Sequence, residues 1–463
     1  MSSIVLQNPQ SLEETHATSI DRETLVNDIA ERMIKEKKTA VRVICDMITE
    51  KKDDALVYIS GSSFSSGNAN PLDYAVRRFL RPFFGLSRGL IVGSAYHKAL
   101  EYAAKHYIAT GYYPRVGLQI REAIAHIDYD YNRMKDKEKE ECSKQDLYKE
   151  VQQLVKVYQA QQKKNNPIAV EYFLKMNVPK EMLRDEKNAL RILLTGGTDV
   201  VYEEEFGGEL VKILSDHKSS KKPIYEKAEK SPRLLMLEKE IDGIELEMIP
   251  HKKIVAKKEK VVEKLQEADA KLQENTVALQ IATEEGKATK AIQNRVDKWA
   301  TESVKLNKEL EDINKSEAVL RKYQASHDET MELLKPIQEA WEEECQEASL
   351  LKAKEMHGQQ VAFYALIYMI LTGNKIHRVR IENMVKRSEP MLQVFEWELD
   401  DFTLMKAEEQ IQVFITKIEL LLEGIDPMIL FPQNTYGFIG EDTNEMLRDA
   451  EKVAKLLSEE RVA

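Results

Sequence analysis

The chain has 463 residues, 43% of them apolar and 32% charged, and a net charge of −11. That length accommodates one large domain or two to three ordinary ones, and the excess of charge requires a well-solvated element such as a long exposed helix. Coating nucleic acid through bulk positive charge is excluded, whereas gripping it through a local basic channel is not, because phosphate contacts depend on local Lys and Arg.

Three cysteines, Cys45, Cys142 and Cys345, lie far apart with no CxxC spacing. They rule out a disulfide framework, a Cys-ligated zinc site and a four-cysteine iron–sulfur cluster from this chain alone. A reducing, cytoplasmic setting follows as the expectation. The first 25 residues are polar and have no apolar h-region, so no secretory signal is expected. The longest apolar run, 361–371, falls short of the roughly 20 residues that span a bilayer. It reads as a buried core helix, and the chain as a soluble protein with no membrane partner.

Residues 22–50 carry helical periodicity, with Leu25, Ile29, Met33 and Ile34 on one face. A Ser/Gly/Asn-rich stretch at 60–70 breaks the pattern before Pro71. The Gly93-Ser94 pair is expected to open a helix over 96–107, and residues 130–165 read as charged helix. Then the period changes. Ile192-Leu193-Leu194, Val200-Val201-Tyr202 and 210–214 are β-prone runs separated by Gly pairs at 196–197 and 207–208. They predict adjacent strands of a sheet, with the second Gly pair near a hairpin turn.

From about 225 to 348 Lys, Glu, Gln and Ala dominate, and no proline occurs between Pro250 and Pro336. Leu265, Leu272 and Leu279 repeat every seven residues, with Val261, Ala268 and Ala282 in companion positions. Ile292, Trp299, Leu306, Ile313 and Leu320 hold the same interval, which is the pattern of a coiled coil. With Gly286 between the two runs, the expected shape is an antiparallel hairpin. Each helix of about 35 residues would reach roughly 50 Å at 1.5 Å per residue. One continuous helix pairing with a second subunit is the other arrangement the heptads allow. The hairpin is preferred because sheet-type sequence precedes it and a core helix follows.

After the arm come the apolar helix near 360–372, β-prone runs at 377–381 and 392–399, and helices at 404–423 and 442–458. The predicted organisation is an N-terminal helical segment at 1–54, a first core part at 55–224, an inserted arm at 225–348 and a second core part at 349–463.

The chemistry concentrates around Asp216-His217-Lys218. In a strand Asp216 and Lys218 project to one side and His217 to the other. Asp199, in Gly-Gly-Thr-Asp199, lies on the neighbouring predicted strand. Two carboxylates on adjacent strands can hold Mg²⁺ through oxygen ligands, and a lysine beside them can stabilise charge on a phosphate. By itself an Asp-x-Lys triplet is usually a surface charge pair. His97 and Glu101, four apart on the predicted helix, share a face, and a mixed His/carboxylate site suits Mn²⁺ as well; a capping or core histidine is the plainer reading. Gln360 and Tyr364 are likewise i and i+4 on an otherwise apolar helix, where their polar groups need partners.

Taken in order, the chain reads Gly93-x-x-x-His97-x-x-Leu-Glu101, then Gly197-x-Asp199, Asp216-x-Lys218 and Gln360-x-x-x-Tyr364. This order resembles the RecB-like branch of the PD-(D/E)XK nucleases, which includes RecB, AddB and RecE-type exonucleases. Ile59-Ser-Gly-Ser-Ser-Phe64 and Asn70-Pro71-Leu-Asp-Tyr74 are also similar to the opening region of such proteins. The resemblance implies an α/β fold with a restriction-endonuclease-like core, a central mixed sheet flanked by helices, here interrupted by the long antiparallel coiled-coil hairpin. It implies metal ligation by His97, Asp199, Asp216 and the backbone carbonyl of His217, with Glu101 assisting. Lys218 then corresponds to the catalytic lysine, acting with Asp216 and Asp199, and Gln360 and Tyr364 to the motif that positions DNA.

One or two Mg²⁺ or Mn²⁺ ions are implied, with no iron–sulfur cluster; no GxxxxGK[ST] nucleotide loop is present. The implied activity is hydrolysis of DNA phosphodiesters, as a DNA-end-processing exonuclease in recombination, repair or phage DNA metabolism, with linear duplex or single strand as the partner. The resemblance covers roughly 55–225 and 350–400 and does not reach the arm, which could clamp DNA, recruit a protein or drive self-association. The arm's Lys252, Lys253, Lys257, Lys258 and Lys260 are either a phosphate-contacting strip or the solvated face of a coiled coil. The alternative is an inactive nuclease-fold scaffold that works through its coiled coil.

Overall fold

A computed structural model describes residues 20–54, 56–61, 64, 71–83, 85–134, 139–140, 142–161, 166–430 and 441–460. In chain order its elements are β1 (Ile20–Asp21), α1 (Arg22–Glu36), α2 (Ala40–Glu50), β2 (Val57–Ser60), α3 (Pro71–Ala75), β3 (Pro82–Phe83), α4 (Arg88–Thr110), α5 (Val116–Arg133) and α6 (Lys144–Gln161). They continue with β4 (Asn166–Asn177), β5 (Ile192–Phe206), β6 (Glu209–Ser220), α7 (Pro232–Val255), α8 (Lys258–Glu284) and α9 (Lys290–Thr372). The chain ends with β7 (Arg378–Val385), β8 (Met391–Glu398), α10 (Asp401–Leu422), α11 (Pro427–Leu430) and α12 (Glu441–Glu460). Two compact units result, one of Met1–Ile224 with Leu350–Ala463 and one of Tyr225–Ser349. Among the described residues no helix is long and apolar enough to cross a membrane.

The first unit is built on a mixed six-stranded sheet flanked by helices. β4 runs antiparallel to β5 from Leu193 to Glu203. β2 pairs parallel with Ile192–Thr195, and β6 pairs antiparallel with Val200–Phe206. A strand has only two edges, so β2 and β6 must share the edge of β5 that β4 leaves open. Between them Gly196, Gly197, Thr198 and Asp199 have no strand partner on that edge among the described residues. β6 runs on beyond Ser215, paired only with parallel β7, to Ser220 opposite Val385, and β8 closes the sheet antiparallel to β7.

One face of the sheet, with Val201, Leu214, Val379 and Ile381, packs in one core with α1, α2, α3, α10, α12 and the 361–368 turns of α9, and Val57, Ile59, Ile192 and Leu194 join the same core. The other face meets α4, α5 and α6, through Met384 and through Ala104 against Val200, Tyr202 and Ile213.

Several expectations need correction. Residues 22–50 form two helices, because Lys37 turns left-handed at φ 54° and Thr39 caps the second by accepting from the Arg42 N–H. Both helices belong to the main core. Gly93 does not open a helix. It lies inside α4 where Ser219 of β6 comes so close that an added Cβ would stand 3.1 Å from its Oγ. The helical reading of 130–165 corresponds to the end of α5 and the whole of α6. The Gly196-Gly197 pair does not separate two strands, since the β4 ladder carries β5 straight through it. Gly207 and Gly208, at φ 60° and 87°, do make the expected hairpin turn, in the primed geometry that twisted strands prefer. β4 had no counterpart in the sequence reading. The Ser62-Ser63 part of the motif at 59–64 and the stretch 65–70 lie outside the described residues.

In the second unit α7 and α8 lie antiparallel to α9. Gly286, at φ 65°, reverses the chain, and the Lys287 N–H returns to the Ala282 carbonyl at 2.9 Å. Val261, Ala268, Leu306 and Ile313 form the seam between α8 and α9, joined by Leu265 and Trp299; Leu234, Leu237, Ile241 and Leu334 form the seam of α7. Partners step in opposite directions along the limbs: Ser303 donates to Asp269 at 2.6 Å, Trp341 to the Ala228 carbonyl at 3.0 Å. The limbs are longer than expected. α9 contributes about 60 residues up to Ser349, roughly 90 Å at 1.5 Å per residue, and the other limb is divided at Ala256–Lys257. Lys252, Lys253, Lys257 and Lys260 are exposed, and Lys258 pairs with Glu317.

Candidate active site

Asp199 stands where β6 parts from β5, one residue before Val200↔Ser215, the innermost pair of their ladder. Past that pair the β5-facing groups of β6 lose their ladder partners. The His217 N–H donates instead to Asp199 Oδ2 at 2.6 Å. A strand residue's N–H and C=O leave from the same edge, so the His217 carbonyl also faces this opening. α4 brings His97 to the same carboxylate, with Nδ1 3.3 Å from Oδ1.

Alternation places Asp216 and Lys218 on the α9 side of the sheet. Lys218 Nζ lies 2.7 Å from Asp216 Oδ2 and donates to Gln360 Oε1 at 3.2 Å. Gln360 Nε2 in turn donates to the Tyr364 hydroxyl at 3.1 Å. His97, Asp199, Asp216, His217, Lys218, Gln360 and Tyr364 thus form one connected group from α4, β5, β6 and α9. Glu101 does not join it. Its carboxylate is held between Lys98 and Lys105 and lines a separate cleft with Glu122 and His126. Tyr74 of the Pro-x-x-Tyr segment is also elsewhere, its ring against Phe414 in the core.

The electrostatics distinguish the two carboxyls. Burial drives Asp199 upward, but His97, His217 and Lys218 outweigh it and hold the group well below the usual carboxylate range. For Asp216 burial and the charge of Asp199 prevail over Lys218, so its pKa is raised. Burial works to lower the Lys218 ammonium, yet Asp216 keeps it above the ordinary lysine value. Asp216 Oδ2 is buried and, despite its ion contact with Lys218, receives no well-formed hydrogen bond.

Carboxylates Asp199 and Asp216, the His97 imidazole and the His217 carbonyl are a donor set suited to Mg²⁺ or Mn²⁺. In the present arrangement His97 contacts the Asp199 carboxylate and Lys218 ion-pairs with Asp216. No three His, Cys, Asp or Glu side chains among the described residues converge as a metal-binding group.

Sequence reasoning missed the supporting residues Glu382, Tyr158, Ser215, His357 and Gly61. His217 points to the opposite face, where its Nε2 lies 3.5 Å from Glu382 Oε2 and 3.3 Å from the Tyr158 hydroxyl. At 3.5 Å the Glu382 approach is an ion contact rather than a well-formed hydrogen bond. Ser215 Oγ donates to the other Glu382 oxygen at 3.2 Å. A carboxylate inside the buried run of β7 was the available signal. His357 lies three residues before Gln360 and seven before Tyr364, hence on their face of α9; burial and the Lys218 charge push it down to about 4. Gly61 backs the Tyr364 ring so closely that an added Cβ would stand 2.6 Å from Cε1. No family model matches the chain, and no curated protein matches it.

Proposed function

We propose that the chain is a metal-dependent DNA nuclease with a PD-(D/E)XK-type core, acting on phosphodiester bonds as a DNA-end-processing exonuclease. The observation that carries this reading is the meeting of Asp199, Asp216 and Lys218 at the opening where β6 leaves β5, with Gln360 hydrogen-bonded to the lysine. Asp199, Asp216, His97 and the His217 carbonyl would hold Mg²⁺ or Mn²⁺, which supplies Lewis-acid stabilisation of the attacking and leaving oxygens. Lys218 brings a compact positive charge to the side of the phosphate. Gln360 aims that ammonium, and Tyr364 holds Gln360 in turn. Asp199, kept ionised by its cationic neighbours, anchors the His217 backbone. His357, neutral at pH 7, adds no competing charge beside Lys218.

The test is incubation of the full chain with end-labelled linear duplex, closed circular duplex and single-stranded DNA, in Mg²⁺ or Mn²⁺ against EDTA, beside Lys218→Ala. Metal-dependent loss of linear DNA alone, reduced at least about 100-fold in the variant, is expected. Cutting of circles would replace exonuclease by endonuclease on the same residues. No degradation by folded protein would overturn the reading in favour of an inactive scaffold.

A further inference from the structure

A second polar site lies apart from this group. The first turn of α4, the N-terminal half of α6 and the β7–β8 turn line an open cavity of about 440 Å³. Four cationic side chains, Arg88, Lys149, Lys386 and Arg387, line it against two acidic ones, Asp146 and Glu150. In a chain with net charge −11 such a local excess of positive charge stands out.

The cations are not equally committed. Arg88 gives Nε and Nη2 to one oxygen of Glu150, at 3.1 and 2.8 Å. Lys149 reaches Asp146 only at 4.0 Å, on the exposed rim. Lys386 is different. It is half-buried, and its hydrogen bond is a long one, 3.4 Å to the Gly89 carbonyl in the first turn of α4. Among the described residues no carboxylate lies within ion-pair distance of it; burial, with the like charges of Lys221 and Arg88, lowers its pKa against the opposing pull of Glu150. A half-buried ammonium among cations is unfavourable until an anion joins it. The adjacent helix N-terminus favours the same sign of guest.

We propose that this cavity is a binding site for a phosphate group. A phosphate offers two negative charges and three terminal acceptor oxygens to Lys386, Arg387, Lys149 and Arg88, more than a carboxylate could bring to so many cations. The cavity volume also lies in the range of small-ligand sites, so the phosphate can carry a substituent of nucleotide size. The site is separate from Asp199, Asp216 and Lys218. Asn383 is the β7 residue opposite Lys218, and Lys386 lies three residues further on, about 10 Å at the strand rise. The proposal therefore does not depend on the hydrolase reading.

Calorimetric titration of the full chain in EDTA and low salt, which keeps metal out of the other site, tests it. The probes are inorganic phosphate, a nucleoside 5′-monophosphate, the parent nucleoside, and a short oligonucleotide with and without a 5′-phosphate. Phosphate-bearing probes are expected to bind, and the nucleoside and the 5′-hydroxyl strand to bind at least roughly tenfold more weakly. The tightest of the three phosphate probes identifies the source. Lys386→Met, which keeps the aliphatic stem, is expected to weaken binding about tenfold. Should Lys386→Met fail to fold, Lys149→Glu on the exposed rim is expected to have the same effect. Equal binding of nucleoside and monophosphate, affinity unchanged in the folded variants, or no binding of any phosphate probe would overturn the proposal.

Discussion

Replacing Gly61 by alanine tests the packing beneath Tyr364. The new Cβ would stand 2.6 Å from Cε1 and 2.8 Å from Cζ of the ring, and 3.0 Å from the Gln360 carbonyl oxygen. Carbon atoms pack at about 3.5–4.0 Å, so the ring must retreat by about 1 Å. Tyr364 is only 5% exposed, and overpacking of this kind costs about 1–3 kcal/mol. The displaced hydroxyl also loses its 3.1 Å bond from Gln360, worth about 1 kcal/mol. Gly61 is not among the positive-φ residues, so alanine meets no backbone strain and recovers about 0.4–1 kcal/mol of unfolded-state entropy. The net expectation is a loss of about 1–3 kcal/mol in urea unfolding. Tyr364→Ala removes the ring, and in that background Gly61→Ala should be close to neutral. If the two single effects simply add, within about 0.5 kcal/mol, the close approach is not what limits position 61 and the reasoning fails.

Glu382→Gln probes the buried contact with His217. The Glu382 carboxyl is held below its ordinary 4.5 because His217 prevails over burial, so its stabilisation is present above that value and fades as pH falls through the lower folded pKa. The His217 imidazole is raised because Glu382 prevails over burial, so its share is full below its ordinary 6.5 and is lost as pH rises through the higher folded pKa. The wild-type advantage should therefore peak between those two values in unfolding measured against pH; a pH-independent difference would count against the ion contact. In the arm, Ile313→Ala at 2% exposure should cost about 2–5 kcal/mol of helical unfolding, and Val304→Ala at 71% exposure less than about 0.5. Equal effects would refute the seam. All three cysteines are buried, and burial raises Cys45 to about 12, so a thiol reagent should label none of them quickly until denaturant is added. Rapid labelling of the native protein would contradict that burial.

Local periodicity made much of this protein legible in its sequence. The heptads from Val261 to Leu320 report a helical seam because each apolar side chain recurs on one face regardless of what lies beyond. Period-two runs at 200–202 and 210–214 with a Gly pair between them report a hairpin for the same local reason. The order of His97, Asp199, Asp216, Lys218, Gln360 and Tyr364 marked the residues that the fold gathers, since strand alternation already places Asp216 and Lys218 together.

What only the tertiary structure decided is which edges and faces meet. Nothing in Gly196-Gly197-Thr198-Asp199 announces that β4 holds one edge while β2 and β6 divide the other. Yet that division frees the His217 N–H for Asp199 and creates the opening at all. Glu101 shares a helix with His97 but is captured by Lys98 and Lys105, because i+4 spacing allows a common face without choosing among the partners there. Lys386 and Arg88 are nearly 300 residues apart, and only the pairing of β6 with β7 beside α4 sets them at one cavity. Periodicity is a property of neighbours along the chain and survives in the sequence. Register, edge and counter-charge are properties of neighbours in space, and those are settled by packing.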